Sequence, residues 1–197
     1  MTAHGKRTIL SEFLGLSVRL DPSSEESLFK FYSTSPKIQS FCPERNARDI
    51  AVARPEESVV LTFVLDRSQG VYAHTSFCPD HLFCVHAGWR CFLELFGPDS
   101  VVHGLAYRSR NNETVVGIFD ASRLGGAQLH ELAFLDRHKM VFDLFRGNAH
   151  NNSLQYHWAG FAPSCYNSLW NSPFRCHEML ILRQDFSTER VIGPLKI

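Results

Sequence analysis

Apolar and polar positions change rhythm along this chain. Through residue 57, short apolar clusters are broken by charge and proline. Residues 7–16 (RTILSEFLGL) predict a short amphipathic helix. SSEESLFKFYS at 23–33 predicts a second, with Ser24 as its cap and Glu25 and Glu26 at the positive end of the helix dipole. Residues 36–57 read as a Pro- and charge-rich connector, since Pro36, Pro43 and Pro55 forbid one continuous helix. From residue 58 the texture becomes β-branched. SVVLTFVLD (58–66) is apolar on both faces and predicts a central, doubly covered strand, joined through RSQG to a partner strand VYAHTSF (71–77). SVVHGLAY (100–107) and TVVGIFD (114–120) flank Asn111 and Asn112, the signature of a second hairpin. KMVFDLF (139–145) and SLQYHWAGF (153–161) predict a third, and HEMLILRQD (177–185) a further strand near the end. Helices are predicted at about 86–96 and 127–136. Strands joined by short turns, with helices set apart, predict a single α+β domain over residues 1–197 with a mostly antiparallel sheet and a few short helices.

Charge alters this picture little. Twenty Lys plus Arg balance twenty Asp plus Glu, so no net field draws the chain to nucleic acid or to an anionic membrane. HGKR at 4–7 and YRSR at 107–110 are the basic clusters, both short enough to be solvated surface. Glu12 interrupts the apolar stretch after the first basic residues, and no window reaches the roughly 20 apolar residues of a membrane span. The expectation is an intracellular protein, nuclear or cytoplasmic and not secreted, with no membrane partner. Its six cysteines (42, 78, 84, 91, 165 and 176) are then reduced.

Candidate chemistry gathers in SFCPDHLFCVHAGWRCF, residues 76–92, which holds three cysteines and two histidines. Thiolates and imidazoles are the donors of a tetrahedral zinc site. His74, Cys78, His81, Cys84, His86 and Cys91 form one group of candidates, and His150, His157, Cys165, Cys176 and His177 a second. A site drawing on both would pin this stretch to the C-terminal region. The spacing is not diagnostic, because Cys78 and Cys84 have five residues between them and no C-x-x-C occurs. The competing reading is an ordinary core stripe: on a helix, Cys84 and Cys91 would share a face beside Leu95, and buried cysteine packs as a small hydrophobe. His103, alternating with Val101, Leu105 and Tyr107, reads as a core or surface histidine. A nucleophilic pair of Cys165 or Cys176 with His157 or His177 is the enzymatic alternative. Asp136 and Lys139 stand one position too far apart for a metal-nuclease signature, and no nucleophile elbow, phosphate loop or dinucleotide fingerprint is present. GGAQ at 125–128, before a predicted helix, could receive an anion.

Cys78, Pro79, Leu82, Cys84, Ala87 and Gly88, followed by Arg137, His138, His150, Gly160, Phe161 and Cys165, resemble the pattern of the adenovirus E4 34-kilodalton protein family over about residues 76–185. The resemblance needs gaps, and the chain lacks that family's later cysteine-dense segment and basic amphipathic helix. SLFKFY (27–32) and SLQYHW (153–158) begin like its Elongin-binding box but carry an aromatic residue where cysteine belongs. What the resemblance implies is a non-enzymatic viral regulatory or adaptor protein, linking viral and host proteins, including a cullin-type ubiquitin ligase. Cys78, Cys84, Cys91 and Cys165 with His150 or His157 would then hold the fold, with structural zinc as the one cofactor. A viral assembly protein that pairs with another subunit, and a cryptic Cys–His enzyme, stand as alternatives.

Overall fold

The computed structural model describes residues 9–11, 14–19, 31–32, 38–68, 70–75, 78–148, 153–168 and 176–192. Their strands form two sheets. The first runs in the order β1 (Leu14–Arg19), β6 (His81–Val85), β5 (Val71–Thr75), β4 (Val59–Leu65), β7 (Ser100–Arg108), β8 (Thr114–Leu124) and β10 (Leu154–Tyr156), with β9 (Ala127–Gln128) paired to β8. The second runs β11 (Ala159–Phe161), β3 (Ile50–Pro55), β12 (Cys176–Leu182), β13 (Thr188–Ile192) and β2 (Ile38–Ser40). Pairing is antiparallel except for β8–β10 and β13–β2. Among the described residues, helices accompany them at α1 (Cys91–Phe96), α2 (Phe134–Arg146) and α3 (Ala162–Ser168), a 3-10 turn at Ala87–Trp89 precedes α1, and residues 9–11 are helical as well. The architecture is α+β and mostly antiparallel, as the strand pattern predicts.

All seven residues of β4 are buried. Leu61, Phe63 and Leu65 point into a core closed by Phe92 and Phe96 of α1 and Val141 and Phe145 of α2. Val60 faces the other way, into a second core shared with Val52, Leu180 and Leu182 of the second sheet. One strand thus separates a helix-covered layer from an interlayer, and its unbroken apolar run follows from that. On the far side of the second sheet, Ala51, Met179, Ile181 and Val191 pack with Ala162 and Cys165 of α3. Among the described residues no helix is long and apolar enough to cross a membrane.

The β7–β8 hairpin turns at 109–113, where Asn112 takes a left-handed φ of 61° and the Ser109 amide donates to the Glu113 carbonyl at 2.9 Å. Elsewhere the elements depart from the sequence pattern. Of the helix expected at 7–16, residues 9–11 are helical while 14–16 lie in β1, and the helix expected at 23–33 lies outside the described residues except for Phe31 and Tyr32. The expected connector contains β2 and β3, and β3 sits inside the second sheet between β11 and β12. KMVFDLF, expected as a strand, belongs to α2: its buried positions are Arg137 and the row Phe134, His138, Val141 and Phe145, a spacing of three and four that only a helix puts on one face. The helix expected at 127–136 begins instead at Phe134, because Ala127 and Gln128 pair back onto β8. Gly125 and Gly126, with φ of 54° and 86°, make the turn of that pairing, so GGAQ opens no helix and offers no helix-end anion site. SLQYHWAGF divides at His157 and Trp158, contributing β10 to one sheet and β11 to the other.

Gly104 permits the close register of β7 on β8. A Cβ there would lie 2.6 Å from the Gly117 carbonyl oxygen and 2.9 Å from Ile118 Cδ1. The carbonyl belongs to a paired strand and cannot step aside. Gly104→Ala is therefore expected to lower stability by about 1–3 kcal/mol, read as a lower urea midpoint at unchanged slope.

Candidate functional site

The strand registers place one row of polar side chains across the middle of the first sheet. His74 on β5 pairs with Thr62 on β4, Thr62 with His103 on β7, and His103 with Asp120 on β8. All four are buried. The β7–β8 register shifts between His103 and Gly104, leaving Phe119 as the extra residue of a bulge. Bulging lets neighbouring Phe119 and Asp120 both serve the interlayer: Phe119 packs in the second core while Asp120 meets Tyr32.

Asp120 is the most heavily coordinated side chain of the row. Arg137, from α2, donates Nε to Oδ1 at 2.9 Å and Nη2 to Oδ2 at 2.8 Å. The Tyr32 hydroxyl donates to Oδ2 at 2.9 Å, and the Ala121 amide to Oδ1 at 2.8 Å. Both members of the ion pair have fully buried side chains. Burial pushes the Asp120 carboxyl up from its ordinary value, against the pull of Arg137. Burial also opposes the Arg137 charge, but the hydrogen bonds and the charge of Asp120 outweigh it and hold the guanidinium above its usual range. Four donors converge on the carboxylate, and that geometry favours the ionised form. The Tyr32 hydroxyl is raised well above its usual range, by burial first and then by the Asp120 charge, so it stays protonated and donates.

Aromatic rings close over this row. The Tyr32 ring lies edge-on to His103 at 5.0 Å and to Phe119 at 5.5 Å, and Phe31 stacks on His74 at 3.9 Å. Phe186 comes from the β12–β13 turn with a φ of 64°, a strained conformation for a bulky side chain. Its ring is buried 5.0 Å from Tyr32, with the Arg137 guanidinium 5.0 Å above it, and this packing offsets the strain. His103 shares a 2.9 Å hydrogen bond between Nδ1 and the Thr62 hydroxyl. Its Nε2 is buried without a hydrogen-bond partner among the described residues. Burial, then the charge of Arg137, depress its pKa well below the ordinary value, so the ring is neutral. His138 flanks the row: Nδ1 contacts the Phe119 carbonyl at 2.6 Å, while Nε2 receives the Ala159 amide at 3.1 Å and pairs with the Tyr156 hydroxyl.

The residues expected to bind zinc are dispersed. Cys78 is exposed in the β5–β6 turn, Cys84 is on β6, and Cys91 opens α1 against the helix-side core. Cys165 is buried behind the second sheet, and His157 donates its Nε2–H to the Ala53 carbonyl, 2.8 Å away. His150 lies outside the described residues. Among the described residues no three of His, Cys, Asp or Glu come together to hold a metal ion. The cysteines that drew attention in the sequence pack as small hydrophobes or sit on separate elements. The nucleophilic alternative fares no better, since burial pushes the Cys165 thiol up to about 12, the reverse of activation. The Cys176 side chain is buried as well.

No family model matches the chain, and no curated protein matches it. The resemblance drawn from Cys78–Gly88 gains no support from either. Solved structures do match. The ligase domain of LigD from M. tuberculosis is 14% identical, with a TM-score of 0.55 over 86% of this chain and 60% of that one. A mycobacterial DNA ligase D complexed with ATP and MES matches with a TM-score of 0.56, again at 14% identity, over 86% of this chain and 61% of that one. What is shared is the fold. The chain spans about 60% of the length of these ligase structures. The expectation of a non-enzymatic adaptor is overturned here, because the architecture is one that ligases use.

Proposed function

We propose that this chain is a nucleotide-processing enzyme unit, one that binds a nucleoside triphosphate between its two sheets and moves the nucleotidyl group to an acceptor. The observation that carries this reading is the two-sheet fold shared with a DNA ligase complexed with ATP. The interlayer carries groups of the kind that the base end of such a ligand would use. Tyr32, Phe119 and Phe186 supply aromatic faces, and the unpartnered Nε2 of His103 supplies a hydrogen-bonding atom for a base edge. The phosphate end draws less from the described residues. Arg137 is committed to Asp120, Arg54 to Ser58 and Glu178, and Lys139 is exposed on α2. No catalytic step is therefore assigned to a metal or to a phosphate-bound side chain.

The test is equilibrium binding of ATP and GTP, combined with pyrophosphate release in the presence of magnesium and a nicked, 5′-phosphorylated duplex. Expected are saturable binding of one nucleotide, a several-fold loss of that binding in His103→Leu, and pyrophosphate release that depends on the acceptor. A chain that folds yet neither binds a triphosphate nor releases pyrophosphate would sink the proposal.

A further inference from the structure

A recess opens where β5 begins and β6 ends, apart from the interlayer. It encloses about 390 Å³ between the start of β5, the end of β6, the 3-10 turn and α1. That places it at the lower end of the range for small-molecule sites, about 300–1,000 Å³. It lies on the helix side of the first sheet: Val71, Val85, Trp89 and Leu93, all in its lining, pack against the helix-side core and not the interlayer. The register Tyr72↔Cys84 fixes its floor.

The lining is chemically one-sided. Trp89 and Tyr72 bring aromatic surface, Arg90 and His86 bring nitrogen donors, and among the described residues no Asp or Glu lines the recess. Arg90 and His86 are exposed, whereas Trp89 is held by packing 5.7 Å from Phe92, whose ring belongs to the core. Gly70 contributes by what it lacks: a Cβ there would fall 2.8 Å from the Tyr72 ring, so the glycine lets that ring lie over the backbone at the recess. A rigid indole beside a planar guanidinium, with no carboxylate among the described lining residues, suits a flat ring that carries a negative group.

We propose that this recess binds one phosphorylated nucleotide, with the base against Trp89 and the phosphate on Arg90 and His86. The ligand is either a free nucleoside monophosphate or the 5′-phosphorylated terminal nucleotide of a strand. Titration calorimetry on the full chain separates these sources, with adenosine 5′-monophosphate, adenosine and a short 5′-phosphorylated oligonucleotide as probes. Expected is saturable binding of the phosphorylated probes, with adenosine much weaker. Arg90→Gln, at an exposed position, should weaken it about tenfold or more by removing a charge-assisted contact. Trp89→Leu should weaken it about tenfold through lost stacking. If the monophosphate binds as well as the oligonucleotide, the ligand is a free nucleotide; binding of the oligonucleotide alone makes it a strand end.

Cys84 provides a second readout, because it lines the same recess and is partly exposed. The bound nucleotide should slow iodoacetamide alkylation of Cys84, followed by peptide mass, and Arg90→Gln should abolish that protection. Adenosine binding as tightly as its monophosphate, an affinity untouched by Arg90→Gln, or no protection of Cys84 would each overturn the proposal. His103→Leu, which addresses the interlayer, should leave this binding intact, so the two proposed sites fail independently.

Discussion

Arg137→Met is expected to cost about 3–5 kcal/mol of stability, the range seen when one partner of a buried ion pair is removed. Methionine keeps most of the side chain's length and its contact with Phe186, so the loss is chiefly electrostatic. Two of the four donors on Asp120 disappear, and the Leu132 carbonyl, which Arg137 Nη1 reaches at 2.8 Å, loses a donor as well. The carboxylate then remains inside the protein with only Tyr32 and the Ala121 amide. For a domain whose whole stability is about 5–15 kcal/mol, that is a large share. Urea unfolding should show it directly. The double variant Asp120→Leu/Arg137→Met should be more stable than either single change, because it removes the stranded charge together with its partner. A loss below about 1 kcal/mol for Arg137→Met would mean that Asp120 carries a proton, and the ion-pair reading would fall.

That pair also marks where the sequence stops being readable. The doubly apolar run of β4 announces a central strand, and Asn111–Asn112 announces the β7–β8 turn, because each depends on near neighbours in the chain. The centre of the site does not. Asp120 stands out in TVVGIFDASRL as a charge that directly follows a six-residue run with no other charge, a signal the sequence does carry. Its partners lie 17 and 88 residues away, at Arg137 and Tyr32, and no local period links them. Phe186 joins them only because a tight turn between two strands of the other sheet aims it inward. The α2 segment misleads for a related reason. KMVFDLF is short and apolar enough to pass for a strand, and its helical period appears only when Phe134 and His138 are counted with it. The cysteine- and histidine-rich stretch at 76–92 drew the eye by composition, yet its thiols lie on a turn, a strand and a helix with no common focus. It does help form a recess, through Cys84, His86, Trp89 and Arg90, and that property depends on shape more than on residue type.

The buried histidines carry the other large effect. Stability is expected to fall steeply as the pH drops from about 6.5 to 5. His74, His103 and His138 are all nearly or fully buried, and for each of them burial is the main cause that lowers the pKa below the ordinary value. For His103 the charges facing it add to this, with Arg137 and His74 both disfavouring a second cation and Asp120 already neutralised by Arg137. Below about 6.5 the unfolded chain takes up protons on these rings while the native protein does not. The unfolded state therefore binds more protons, and stability rises with pH across this window and is lost on acidification. Each ring contributes up to about 1.4 kcal/mol per pH unit until its depressed native value is reached. Glu178 acts lower still: burial would raise it, but Arg190 and Arg54 hold it below the usual carboxylate value, so its contribution is lost only below about 4.5. Urea unfolding at pH 7.5, 6.0 and 5.0 measures the slope. His103→Asn, which keeps a polar group facing Thr62 but cannot titrate, should reduce that slope by about one proton. An unchanged slope in the variant, or a wild-type protein that gains stability on acidification, would mean that His103 is protonated in the folded state, and its neutral, unpartnered Nε2 could no longer serve as the acceptor for a base edge between the sheets.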